Sequence, residues 1–365
     1  MIKFIHLFAF AATAATTLAA SPAFYGFDRD TVGRDFSSVR DINAHGMVAI
    51  SGAANAIWNP DVGYVHEVVL GNDIRRVSWS GDTVLINRSG TRSGLWQYGS
   101  GYQDLPLAQI KANGMTADGG IIVGNDVQND RAFRWSKDFG YQELEGLAGG
   151  NGIGQAHDIT PDGKTTVGGA WNGDGFNAVM YDQNGHISDL GVLDGYFSNI
   201  AYGVSDNGRY ITGVSRNGLN AAAFRWDRET GETLNIGEGL GHATTGIDGF
   251  LAYDVSNDGT VVGHYGGEDF FPEGDDEHAV IYNDKHGWRT VEQMLLDDFD
   301  IVISDDWDLE YVYSISSDGT MIGGSARYIT GASAAWVAII PAPSSLSVLP
   351  VILLSITNRR RYRRM

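Results

Sequence analysis

Val204-Ser205-Asp206-Asn207-Gly208-Arg209-Tyr210-Ile211-Thr212-Gly213, followed shortly by Ala223-Phe224-Arg225-Trp226, is the stretch that decides the fold. Asn207-Gly208 reads as a hairpin turn, because both residues tolerate positive φ. A short β-rich run follows and ends at a glycine, and a small residue then precedes a large apolar one. The pattern recurs along the chain. Seven turn glycines (Gly46, Gly81, Gly119, Gly163, Gly208, Gly259, Gly319) each follow a polar residue: His45, Ser80, Asp118, Asp162, Asn207, Asp258 or Asp318. Four positions before each glycine stands Ile42, Val77, Met115, Ile159, Val204, Val255 or Ile315. Three before it stands Asn43, Ser78, Thr116, Thr160, Ser205, Ser256 or Ser316.

The second half of each unit repeats too, with Ala56-Ile57, Gly94-Leu95, Ala132-Phe133, Ala178-Val179, Ala223-Phe224, Ala279-Val280 and Ala335-Trp336. In the middle units an aromatic follows at Trp135, Tyr181, Trp226 or Tyr282, and a last short strand appears in Tyr141–Leu144, Ile187–Leu190 and Thr233–Ile236. Residues 24–340 shared among seven units give about 45 residues each, the length of a four-stranded propeller blade. The pattern therefore predicts an all-β, seven-bladed β-propeller with about four short antiparallel strands per blade. No 3.6-residue periodicity persists within a unit, which excludes a helical solenoid. A β-sandwich would not explain seven copies of one turn. The last unit ends after its third strand, at Ile340, so Phe24–Phe27 is expected to complete the final blade and remove an exposed edge.

Composition agrees with short strands and tight turns: 49 of 365 residues are glycine, and 43% are apolar, enough for a sizeable core. The net charge of −20 argues against a nucleic-acid partner, which needs a basic face. There is no cysteine, so disulfides, zinc–thiolate sites, a thiol nucleophile and a lipobox anchor are all excluded.

The ends read differently from the body. Residues 1–23 read as a secretory signal peptide, with Lys3, an apolar run from Phe4 to Leu18, and small residues Ala19, Ala20, Ser21 and Ala23. Cleavage after Ala23 or after Ala20 fits, and an uncleaved membrane helix is the competing reading. Residues 341–365 combine Pro341-Ala342-Pro343-Ser344-Ser345, an apolar stretch from Leu346 to Ile356, and Arg359, Arg360, Arg361, Arg363 and Arg364. This order predicts a short C-terminal membrane helix with its arginines kept cytoplasmic and the bulk of the chain outside. The tail resembles the PEP-CTERM sorting signal of Gram-negative bacteria, with Ala342 where that motif carries Glu. The resemblance implies recognition by an exosortase, an integral-membrane protease, and transient inner-membrane anchoring before delivery to the cell surface or medium. A plain membrane anchor is the alternative. The repeats resemble the HAF family of extracellular repeats through Val204–Gly208 with Ala223–Trp226, through Ser316–Gly319, and through Asp189-Leu190-Gly191. Only His278, before Ala279, keeps that family's histidine, so the resemblance implies scaffold and location.

The nine histidines are widely spaced and no His-Glu-x-x-His occurs, so no transition-metal site is expected. Ser205 and Ser215 each follow Gly-Val, but neither has glycine two residues later, and Ser205 reads as a turn support. Gly149–Gly154 lacks the lysine of a phosphate loop. Acidic residues crowd two stretched connections: Glu268 to Glu277, including Asp269, Asp275 and Asp276, and Asp297 to Glu310, including Asp305 and Asp306. Carboxylates at this density could hold Ca²⁺, although no regular Asp-x-Asp-x-Asp-Gly loop exists and solvated loops are the simpler reading. Phe270, Phe271 and Trp307 could stack on sugar rings or cap a blade core.

The resulting expectation is an exported, non-catalytic propeller without a required cofactor, binding an exopolysaccharide or a surface protein through these loops. The alternative is a carboxylate-based hydrolase or lyase with its site at the propeller channel. A self-associating matrix component is a third reading.

Overall fold

The computed structural model describes residues 21–28, 35–68, 73–88, 91–218, 220–238, 248–266 and 277–340. The predicted signal peptide up to Ala20 and the entire predicted sorting tail from Pro341 lie outside the described residues. Among the described residues no helix is long and apolar enough to cross a membrane.

The chain is all-β and folds as successive four-stranded antiparallel meanders. Strands β2 (Phe36–Ile42), β3 (Val48–Gly52), β4 (Asn55–Asn59) and β5 (Gly63–Val68) form one sheet. Strands β6 (Asp73–Val77), β7 (Thr83–Arg88), β8 (Arg92–Gln97) and β9 (Gly101–Asp104) form the next. A third sheet holds β10 (Ile110–Met115), β11 (Ile121–Asp126), β12 (Arg131–Ser136) and β13 (Gly140–Glu143). A fourth holds β14 (Gly154–Ile159), β15 (Thr165–Trp171), β16 (Phe176–Asp182) and β17 (Ile187–Asp189).

Two further meanders follow. One contains β18 (Ser198–Val204), β19 (Tyr210–Asn217), β20 (Asn220–Asp227) and β21 (Glu232–Glu238). The other contains β22 (Asp248–Val255), β23 (Val261–Gly266), β24 (Glu277–Asn283) and β25 (Gly287–Thr290). They are joined into one eight-stranded sheet by a short parallel pairing of Asn220 with Asp248 and Ala221 with Gly249. In the last sheet β26 (Trp307–Ile315), β27 (Met321–Tyr328) and β28 (Ser333–Ile339) are completed by β1 (Ala23–Phe27) from the opposite end of the chain. The first strands contact one another in the cyclic order β2, β6, β10, β14, β18, β22, β26 and back to β2.

The turn residues explain why each meander forms. All seven turn glycines have positive φ, from 69° to 86°. The hydroxyl three positions earlier then ties the turn. Ser205 Oγ accepts from the Tyr210 N–H at 2.9 Å and donates to Asn207 Oδ1 at 2.8 Å. Thr116, Thr160 and Ser316 accept in the same way from Ile121, Thr165 and Met321.

The core lies between sheets, as expected when each sheet buries both faces against its neighbours. Val123, Ala132 and Leu144 of one sheet pack with Ala156, Ile159, Val179 and Tyr181 of the next. Phe36, Val39, Ile50 and Trp58 pack with Ala335, Val337 and Phe27, so β1 joins the core as well as the edge.

One element departs from the strand pattern. Helix α1 (Val291–Phe299) fills part of the stretched connection before β26, capped by Thr290, whose side chain accepts from the Gln293 N–H. Val291, Met294 and Leu295 are buried against Leu309, Val312 and Trp336. Its five apolar residues are interspersed with Glu292, Asp297 and Asp298, and Glu292 turns inward, its Oε1 accepting from the Leu309 N–H at 3.2 Å.

Candidate functional site at the axis of the sheets

The site arises from a backbone irregularity shared by every first strand. Register shifts fall at Arg40, Arg75, Asn113, His157, Tyr202, Tyr253 and Tyr313, each six residues before its turn glycine. A β-bulge adds one residue to a strand and re-aims side chains. Here two consecutive residues line the axis instead of one. In five of the seven sheets the facing strand carries glycine (Gly124, Gly168, Gly213, Gly263, Gly324), against Ile50 and Ile86 in the other two: a Cβ on Gly124 would stand 2.1 Å from the Lys111 carbonyl oxygen, and one on Gly324 1.7 Å from that of Tyr311.

The bulged residues form a mouth around a cavity of about 310 Å³, with Arg76 and Asp254 beneath. The residues after the bulge form a floor with only about 70 Å³ of free space, lined by Asp41, Arg76, Asp158, Asp206 and Asp254. A ligand the size of a sugar ring therefore has room in the mouth and not in the floor.

The floor ties neighbouring sheets together. Asp41 Oδ2 accepts from the Val77 N–H at 2.7 Å, and Asp158 Oδ2 from the Val204 N–H at 3.1 Å. Asp254 Oδ2 accepts from the Ile315 N–H at 2.9 Å and from Ser314 Oγ at 3.0 Å, while Ser314 Oγ accepts from the Ile42 N–H at 3.0 Å. Arg76 Nη2 donates to Asp158 Oδ1 at 2.9 Å, and its Nε lies 3.9 Å from Asp41. Burial pushes Asp41 up to about 6, and burial with Asp158 nearby pushes Asp254 up to about 7. Burial opposes the charge on Arg76, but Asp158, Asp41 and Asp254 outweigh it and hold the guanidinium above its usual range.

The mouth has two unlike halves. Arg40, Arg75, Asn113 and His157 supply cations and polar groups, and Arg75 Nη2 donates to Asn113 Oδ1 at 3.2 Å. Burial, reinforced by Arg75 and Arg76, holds His157 down at about 4, so its imidazole is neutral at neutral pH. Opposite stands an aromatic wall. Ring centroids are 5.1 Å apart for His157 and Tyr202, 6.2 Å for Tyr202 and Tyr253, and 5.6 Å for Tyr253 and Tyr313. Burial raises all three phenols, leaving them protonated donors.

Reading the sequence by its repeating letters missed this mouth, because the bulged position holds a different side chain in most units. The signal available was the pairing, in five of the seven units, of a variable polar or aromatic residue with a glycine on the next strand. The loop residues singled out from the sequence are elsewhere. Asp269, Phe270, Phe271, Asp275 and Asp276 lie outside the described residues. Asp305 is exposed, Asp306 accepts from Ser304 Oγ at 3.2 Å, and Trp307 packs against Phe24 and Tyr328 at 5.7 and 5.2 Å. Asp305 and Trp307 border a separate groove of about 700 Å³ beside α1. Nearby carboxylates are dispersed into ion pairs, Asp298 with Arg289 at 2.6 Å and Glu310 with Arg327.

No family model and no curated protein matches the sequence. Solved structures do share the fold. An oligogalacturonate lyase in complex with manganese is 13% identical, with a TM-score of 0.53 over 89% of this chain and 98% of that one. The oligogalacturonate lyase of Vibrio parahaemolyticus is also 13% identical, with a TM-score of 0.54 over 88% of this chain and 98% of that one. The all-β arrangement of four-stranded sheets is thus propeller-like. The expectation of a non-catalytic binding protein is corrected by this comparison, since these neighbours, matched over nearly their whole length, are enzymes. That expectation rested on a rigid ring presenting variable loops and on the setting implied by the tail's resemblance, and residues taken one per repeat leave no linear motif.

Manganese does not fit the residues here. Among the described residues no group of three His, Asp or Glu side chains converges on a metal-sized space, and His157 faces guanidinium groups.

Proposed function

We propose that this chain is a seven-bladed β-propeller enzyme, a lyase acting on a carboxylate-bearing saccharide held in the mouth of its axial channel. The observation that carries the reading is the bulge ring itself: two arginines, a neutral imidazole and three protonated phenols around one sugar-sized cavity. The cyclic contacts of the first strands support the blade number. The lyase neighbours support the reaction class.

The chemistry that suits this set is β-elimination from a uronate. Arg75 and Arg40 pair with the sugar carboxylate and stabilise charge as the neighbouring C5–H bond is broken. His157, neutral at working pH, takes that proton. The electron pair forms the C4=C5 double bond, the C4–O bond breaks, and the leaving oxygen takes a proton from a phenol of the Tyr202, Tyr253 and Tyr313 wall. No water is consumed. A hydrolase would need two free carboxylates flanking the bond. The floor carboxylates are committed to inter-sheet ties, which favours elimination. Export through the N-terminal signal, exosortase-dependent sorting of the tail and a setting among extracellular polysaccharides complete the proposal.

The test is incubation of the purified chain with oligogalacturonate and with a neutral oligosaccharide of equal length. Ultraviolet-absorbing unsaturated product from the acidic substrate alone is the expected result. Reducing ends without that absorbance, or no product from any acidic saccharide, would remove the lyase reading.

A further inference from the structure

Asp73, eight residues before its turn glycine, stands between Arg40 and Arg75, the two arginines of the mouth. Its Oδ1 lies 3.5 Å from Arg40 Nε and its Oδ2 lies 3.3 Å from Arg75 Nη1. Neither approach is a well-made hydrogen bond, and both Arg40 Nε and Asp73 Oδ1 are buried with no hydrogen-bond partner. All three side chains retain a third or so of their exposure, 31% for Arg40, 32% for Arg75 and 41% for Asp73, so solvent and solute reach them. A buried donor left unmade costs free energy that a better-placed acceptor would recover.

We propose that Asp73 is a positioning and specificity residue that occupies the carboxylate subsite in the unliganded protein. Its carboxylate holds Arg40 and Arg75 in the mouth and is displaced when a sugar carboxylate enters to make the in-plane hydrogen bonds that Asp73 does not. The arrangement rests on the acidic-saccharide reading above. It filters weak anions, because an incoming group must outcompete a resident carboxylate. It also leaves neutral sugars without a reason to displace it. The cationic pair gives Asp73 its leverage. Arg40 is held over the Tyr313 ring at 4.9 Å and Arg75 by Asn113, so both guanidiniums stay in place when Asp73 swings away.

The experiment measures binding of galacturonate and of galactose by titration calorimetry to the full chain and to Asp73→Asn and Asp73→Ser, with thermal melts as a fold check. The expected result is that galacturonate binds about tenfold more tightly to both variants, because two competing ion pairs, to Arg40 and to Arg75, are removed, while galactose binding does not change. On an oligogalacturonate substrate the gain appears as a lower KM. Unchanged or weaker galacturonate binding overturns the proposal, as does an equal gain for galactose. Unfolding of both variants overturns it too, since Asp73 would then be a structural tie between sheets. The two readings fail separately. Wild-type elimination with no gain in the variants removes the Asp73 role alone, whereas tighter galacturonate binding without any elimination removes the lyase chemistry alone.

Discussion

Replacing Arg76 by Gln tests the electrostatics of the floor directly. This guanidinium faces Asp158 at 2.9 Å and Asp41 at 3.9 Å, with Asp254 also acting on it. Two unit charges about 4 Å apart interact by about 4 kcal/mol at an effective dielectric near 20. Removing one partner of a fully buried pair costs about 3–5 kcal/mol. The Arg76 side chain is 25% exposed, against 11% for Asp158, so water recovers part of that loss. An Arg76→Gln variant should therefore lose about 2–4 kcal/mol of stability near neutral pH, read from its urea midpoint. The pH dependence has a definite sign. Asp41 and Asp254 have folded values of about 6 and about 7, above the unfolded 3.8, so the folded state binds their protons more tightly. Their contribution is fully present below the unfolded value and is lost as pH rises through 6 to 7. Without Arg76 the carboxylates gain further from protonation, so the deficit should be largest near pH 8 and shrink by pH 5. The double variant Arg76→Gln with Asp158→Asn should lose less than the single one. A deficit below about 0.5 kcal/mol at alkaline pH, or one that does not change between the two pH values, would refute this account of the floor.

Three further outcomes are expected. Ser205→Ala leaves the Tyr210 N–H without its 2.9 Å acceptor and should cost about 1–3 kcal/mol, with faster amide exchange confined to that turn. Gly324→Ala places a Cβ 1.7 Å from the Tyr311 carbonyl, so the bulge must shift, and a thermal melt should fall by more than for Ser205→Ala. His157→Gln should abolish elimination while leaving galacturonate binding in place, and the wild-type pH–rate profile should rise with pH through a limb near 4, above which the imidazole is free to accept a proton.

How much of this was legible beforehand follows from which interactions are local. Each turn is closed within a few residues by a glycine at positive φ and a hydroxyl three positions earlier, so its chemistry appears in the text of every unit. The strands flanking it are short runs buried on both faces and end where the turn residues say they must. Even the missing fourth strand of the last sheet could be inferred from an unpaired edge, and Ala23–Phe27 fills that place in register with β28. Helix α1 was not legible, because three buried apolar residues gain their meaning only against Leu309, Val312 and Trp336.

The site was decided by tertiary structure alone. Arg75, His157 and Tyr253 are far apart in sequence and share nothing but their distance from a turn glycine. A bulge is a relation between two strands, so one strand's letters do not announce it, and its effect of turning consecutive residues inward reverses the alternation a strand would otherwise have. Only closing the first strands into a cycle brings arginine, imidazole and phenol around one cavity, and only that closure buries the carboxylates beneath them deeply enough to change their charge.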